Sequence, residues 1–144
     1  MNAKRFVIAA IAVFVAMMIL DFIFHMGLMG PVYEEIQDVT RSDAEMMRVM
    51  PIGYIFTLLW AFLFCYIFIR GREGKGLIEG VRFGILMALF YSLITSIWQW
   101  TVYPIPFRLV IYWFLIGLVQ MVILGILVSV IYKPLEETET TVTE

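Results

Sequence analysis

Asp21 and His25 are the residues whose types and spacing bear most directly on chemistry. They stand four apart within an apolar run from Phe6 to Met29, so on a helix both project from one face. A carboxylate beside an imidazole can relay a proton near neutral pH, or hold a cation with the imidazole as its proton partner. Counted from Phe6, Asp21 would sit about 7 Å short of the outer edge of a bilayer's hydrocarbon. An unpaired carboxylate at that depth is costly, so it should face protein or water. A plainer reading makes the two an interfacial pair that reaches toward the headgroups. Arg108 is the expected countercharge in either case.

A second constellation lies further along. Tyr91, Thr95 and Gln99 recur every four residues and are flanked by Ser92 and Ser96. With Gln120 and Thr57 they would line a polar cavity opening outward. Packing accounts for the same residues, because serine and threonine bond back to the preceding helical turn and glutamine joins helices in lipid.

Other chemistry is poorly supplied. The chain has one histidine and one cysteine, Cys65, which sits in an apolar run. No nucleophile is accompanied by a base and an orienting group, and no carboxylate-rich metal cluster is present. The expectation is a chain with no catalytic residues, no metal and no cofactor. Haem ligation by His25 is the residual cofactor reading; Met26 and Met29 are too near it on one helix to reach the opposite haem face. The glycines Gly71, Gly74 and Gly76 lack the strand and the lysine-serine ending of a phosphate loop, and read as a turn. Glu79 and Arg82 read as an exposed ion pair.

The elements that must position these residues are set by composition. Of 144 residues 62% are hydrophobic and only 15% charged, with mean hydropathy +0.94, which suits lipid as the solvent. The net charge of -2 provides no basic surface for nucleic acid. Four runs are long enough to span a bilayer: Phe6 to Met29, Pro51 to Ile69, Phe83 to Phe107 and Leu109 to Tyr132. The expected fold is all-α, an integral membrane antiparallel four-helix bundle in a single transmembrane domain over 1–134. Its helices should cover about 6–29, 51–69, 81–103 and 109–132, with an outer loop at 30–50 and a flexible acidic tail at 135–144. Alternating strand polarity is absent, and lipid leaves unpaired backbone groups unsatisfied, so helices are favoured over a barrel. The first run resembles a signal peptide in its flanking Lys4 and Arg5, but hydrophobic residues resume past Asp21, which favours a retained anchor.

Basic residues set the orientation. Lys4, Arg5, Arg70, Arg72, Lys75, Arg82 and Lys133 fall on one side of such a bundle, and Arg41, Arg48 and Arg108 on the other. That bias puts both termini in the cytoplasm. Pro104 and Pro106 suit a tight outer turn. Tyr54, Trp98, Trp100, Tyr103, Tyr112 and Trp113 would form an outer aromatic belt.

Small residues mark the packing faces. Gly76, Gly80, Gly84, Ala88, Ser92 and Ser96 recur every four residues on the third helix, Gly53 and Ala61 lie on the second, and Gly117 and Gly125 on the fourth. Such stripes let backbones approach closely, within one chain or against a partner. The expected partners are therefore the lipid bilayer and either a second copy of the chain or another membrane protein.

The stretch PIPFRLVIYWFLIGLVQMVILGILVSVIYK, with the span before it, resembles uncharacterised small four-span membrane proteins of bacteria. That resemblance implies a multi-pass protein of the bacterial cytoplasmic (inner) membrane and carries over no catalytic residue. A looser likeness is to small multidrug-resistance exporters, which share four short spans and a first-helix carboxylate. Here the acid lies nearer the outer edge, the first outer loop is long and the basic bias is strong. Three functions are left standing. The first is a non-enzymatic accessory or self-associating membrane subunit. The second is a small-molecule or ion carrier built on Asp21 and His25, and the third a lipid- or quinone-linked enzyme.

Overall fold

The computed structural model describes residues 2–132. The acidic tail at 135–144 and Lys133 lie outside the described residues. Four helices are long and apolar enough to cross a membrane: α1 (Ala3–Leu28), α2 (Asp43–Arg70), α3 (Leu77–Val102) and α4 (Phe107–Ile131). No strand occurs among the described residues.

Each helix begins where local chemistry favours it. Asn2 caps α1 by accepting from the Arg5 N–H at 3.1 Å. α2 starts at Asp43, eight residues ahead of the expected position 51. The reason is a capping box: Ser42 Oγ accepts from the Glu45 N–H, and the Glu45 carboxylate accepts from the Ser42 N–H at 3.2 Å. This cap starts the helix upstream, and Pro51 is carried inside it. α3 follows Gly76, which at φ 68° occupies the left-handed region. Pro106 precedes α4 in an extended conformation, consistent with the turn expected there.

The main core joins all four helices. Ala9, Ala10 and Val13 of α1 meet Ala61, Phe64 and Cys65 of α2, and Met87 and Ala88 of α3 with Met121, Leu124 and Val128 of α4 complete it. α3 lies closest to α4, because glycine faces glycine there. A β-carbon on Gly80 would strike the Gly125 carbonyl, and one on Gly84 would strike the Met121 carbonyl. A β-carbon on Gly117 would collide with the Ser92 side chain. α2 and α3 meet through larger groups, with the Phe64 and Phe83 rings 4.8 Å apart and Trp60 and Tyr91 6.2 Å apart.

Two expected packing glycines have no such neighbour. A β-carbon on Gly53 or on Gly76 would meet nothing within 4 Å. Gly53 sits in the Asp43–Phe56 part of α2, where every residue is exposed. Gly76 serves as the cap of α3 and packs against no helix.

The stretch expected as an outer loop, whose apolar-polar mix also allows a short interfacial helix, is largely folded. Gly30–Tyr33 makes an α-helical turn that continues as a 3-10 helix over Glu34–Val39. It is held by a second small core of Met29, Ile36, Ile105 and Leu109, so it packs on the start of α4. At the opposite end the Asn2 N–H donates to the Tyr132 hydroxyl at 2.8 Å, and Arg72 lies over the Tyr132 ring.

Candidate functional site

The first helix changes geometry where its polar residues occur. From Phe22 to Leu28 it widens into a π-helical stretch, closed by the Met29 N–H donating to the Phe24 carbonyl at 3.0 Å. Such wide turns interrupt the regular ladder and occur often at functional positions. Asp21 stands at the start of this stretch and His25 inside it.

Three elements converge on the pair. Gln120, buried on α4, donates from Nε2 to Asp21 Oδ1 at 2.8 Å. His25 Nε2 lies 4.0 Å from that same oxygen. The other ring nitrogen, Nδ1, is 2.5 Å from the Tyr33 hydroxyl of the Gly30–Val39 segment. Trp113 of α4 donates its indole N–H to the same Tyr33 oxygen at 3.0 Å. The His25 and Tyr33 rings are stacked within 10° of parallel. Burial pushes the Tyr33 phenol up from its ordinary value, the Trp113 N–H opposes this and the Asp21 charge adds to it. The phenol therefore keeps its proton at neutral pH.

Proton bookkeeping gives the string a direction. An indole N–H only donates, so Tyr33 accepts from Trp113 and has its own proton left to give. His25 Nδ1 lies within reach of that proton, the direction of this bond depending on the imidazole tautomer. In the tautomer that accepts it, the neutral imidazole carries its proton on Nε2, on the side of Asp21. The sequence Trp113, Tyr33, His25 ends 4.0 Å from the Asp21 carboxylate, to which Gln120 donates directly.

Asp21 and His25 side chains are 34% and 35% exposed, so the site is open to its surroundings on one side. Toward the Asn2 and Tyr132 end the groups that follow are apolar: Val13, Phe64, Leu124 and Val128 are all buried. Polar contacts thus run from Asp21 toward the Gly30–Val39 segment and stop in the other direction.

Other expected site residues go elsewhere. Tyr91, Thr95 and Gln99 are exposed and are not brought to Asp21. Thr95 Oγ1 donates to the Tyr91 carbonyl at 2.7 Å, and Thr57 to the Gly53 carbonyl, so these hydroxyls are satisfied within their own helices. Ser92 and Ser96, one position along, are the buried members of that stretch. Arg108 does not serve as the countercharge of Asp21; it pairs with Glu35 of the folded segment. Trp113, expected in an exposed belt with Tyr112 and Trp100, is turned inward to Tyr33.

Glu79 also departs from expectation. Its carboxylate accepts from the Glu73 and Lys75 backbone N–H groups at 2.5 and 2.9 Å. The glycine-rich turn is therefore folded around the chain's own carboxylate.

Sequence reasoning missed Tyr33 and Trp113. Tyr33 lies in a stretch dominated by acidic residues, and Trp113 is one of several aromatic residues near an expected membrane boundary. Only the fold of the intervening segment brings them together. Comparison of the chain with models of known families, with curated proteins and with solved structures gives no match.

Proposed function

We propose that this chain is a non-enzymatic multi-pass protein of a bacterial inner membrane. It is an antiparallel bundle with both termini cytoplasmic, and it binds a small organic cation in exchange for a proton at Asp21, from the outer side. The observation that carries this reading is the convergence of Gln120 and the Tyr33–His25 string on one partly exposed carboxylate. A carboxylate suits a cation, and the His25 ring beside it, stacked on Tyr33, suits an alkylammonium or onium group better than a small hydrated ion.

The glycine stripes bear on the competing reading, a subunit defined by association. Gly80, Gly84, Gly117 and Gly125 are occupied inside the chain, which leaves them unable to serve a partner. One feature still favours association as a second reading. The Asp43–Phe56 part of α2 is exposed on all sides and carries Met46, Met47 and Ile52 beside Glu45 and Arg48.

Equilibrium dialysis with radiolabelled tetraphenylphosphonium on the detergent-solubilised protein tests the proposal. Saturable binding that weakens as pH falls is expected of the wild type, with loss in Asp21→Asn and retention in Thr95→Val. Equal binding by wild type and Asp21→Asn removes the carboxylate from any such role.

A further inference from the structure

We infer that the cavity at the Asn2 and Tyr132 end of the bundle binds one anionic phospholipid, with Arg72 as the group that takes its phosphate. The inference is independent of the Asp21 site, which belongs to the other end.

The cavity has a volume of about 220 Å³ and lies between the close of α2, the turn at 71–76 and the close of α4. Its wall is apolar at Phe68, Leu77 and Val130 and charged at Arg72. A β-carbon on Gly74 or Gly76 would meet nothing within 4 Å, so the turn leaves space beside it. α2 ends at Arg70, α3 begins at Leu77 and α4 ends at Ile131, which sets the cavity where the helices leave the apolar layer, at the depth of lipid headgroups. Leu77 and Val130 are exposed, and acyl chains can lie along them.

Arg72 is positioned without an anion. Its guanidinium stands 5.7 Å from the centre of the Tyr132 ring, and that ring is fixed by the Asn2 N–H on its hydroxyl. The acids of the adjoining turn are both committed: Glu73 pairs with Lys75, and Glu79 accepts from the Glu73 and Lys75 N–H groups. No carboxylate among the described residues pairs with Arg72. A guanidinium resting on an aromatic ring keeps its planar fork for two oxygens of one phosphate.

The other polar groups of the cavity are already engaged. Two N–H groups of the turn are taken by Glu79, and the Ser129 hydroxyl donates to the Ile126 carbonyl at 2.8 Å. The phosphate is left to Arg72, and the surrounding charge selects the headgroup. Lys4, Arg5, Arg70, Arg72, Lys75 and Arg82 belong to this end, against Glu73 and Glu79, so a headgroup with an ammonium is disfavoured and one of net negative charge is favoured. Free phosphate would leave the apolar wall unused, which makes the lipid the occupant.

Native mass spectrometry of the full chain, with dioleoylphosphatidylglycerol or dioleoylphosphatidylethanolamine added in detergent, counts bound lipids and ranks their affinity. One phosphatidylglycerol should stay bound, at least about fivefold tighter than phosphatidylethanolamine. Arg72→Gln should remove that preference and Arg72→Lys should restore part of it. Arg72→Gln also loses the contact with Tyr132, so Val130→Trp, which fills the cavity and keeps Arg72, gives an independent reading: it too should lose the bound lipid. Lys4→Gln alters the charge of the same end outside the cavity and should change the affinity by less than about twofold. Equal affinity for the two lipids overturns the site, as does undiminished binding in Arg72→Gln or in Val130→Trp. Equal losses in Lys4→Gln and Arg72→Gln also overturn it, because they mean diffuse attraction. Displacement of the lipid by millimolar inorganic phosphate assigns the cavity to the free anion instead, and a preference that emerges only when residues 135–144 are removed assigns it to the chain's own acidic tail.

Discussion

Asp21 Oδ1 accepts a hydrogen bond from the buried Gln120 amide at 2.8 Å. Gln120→Leu removes the donor that positions this oxygen and should weaken tetraphenylphosphonium binding at fixed pH, and binding equal to that of the wild type would separate Gln120 from the site. Tyr33→Phe has a different expected effect. It strands the Trp113 N–H in a part-buried position, at a cost of about 1–3 kcal/mol, seen as a lower unfolding temperature in detergent. The Arg108–Glu35 pair is half exposed, so Arg108→Ala should cost about 1 kcal/mol or less. Spacing alone made Asp21 and His25 visible as a pair, since four residues on a helix always share a face. Their partners were hidden for a physical reason: Gln120 is 99 positions away from Asp21, and Tyr33 reaches His25 only because the intervening chain turns back on itself.

The helices divide into those that pack on glycine and those that do not. Gly84→Ala or Gly125→Ala should destabilise the α3–α4 pair by about 1–3 kcal/mol, because the new methyl meets backbone, which cannot yield as a flexible side chain would. Gly53→Ala should be neutral or gain up to about 1 kcal/mol, since it adds helix propensity in open space. Thermal unfolding of the three variants in one detergent checks the contrast; equal losses at all three would mean that close approach is not what the glycines supply. The four spans were legible from hydropathy, because the requirement for about 20 apolar residues dominates every local preference. The start of α2 was legible too, from Ser42 and Glu45 at capping-box spacing, but a reading guided by hydropathy and Pro51 overlooked it. The π-helical stretch at Phe22–Leu28 has no comparable signature in the sequence. The repeat of Tyr91, Thr95 and Gln99 was visible but misassigned. Periodicity establishes that residues share a face, and only packing decides which face turns inward.

At the scale of the whole molecule, the two ends of the bundle do different work. The Asn2 and Tyr132 end is tied by backbone and aromatic contacts and by a turn wound around Glu79. The other end carries the folded Gly30–Val39 segment, the small core beneath it and the polar string. The proposed orientation predicts that a membrane-impermeant maleimide applied to intact cells labels Glu34→Cys and spares Glu73→Cys; the opposite pattern inverts it. The claim on which the rest depends is that Asp21 exchanges a proton for a bound cation from the side of the Gly30–Val39 segment. Infrared difference spectroscopy of the purified protein tests it most directly, by following the C=O stretch of a protonated carboxyl group. The expected result is a band that grows as pH falls, is missing in Asp21→Asn, and is diminished at constant pH by tetraphenylphosphonium. A band that survives in Asp21→Asn, or one that the cation leaves unchanged, would contradict the account.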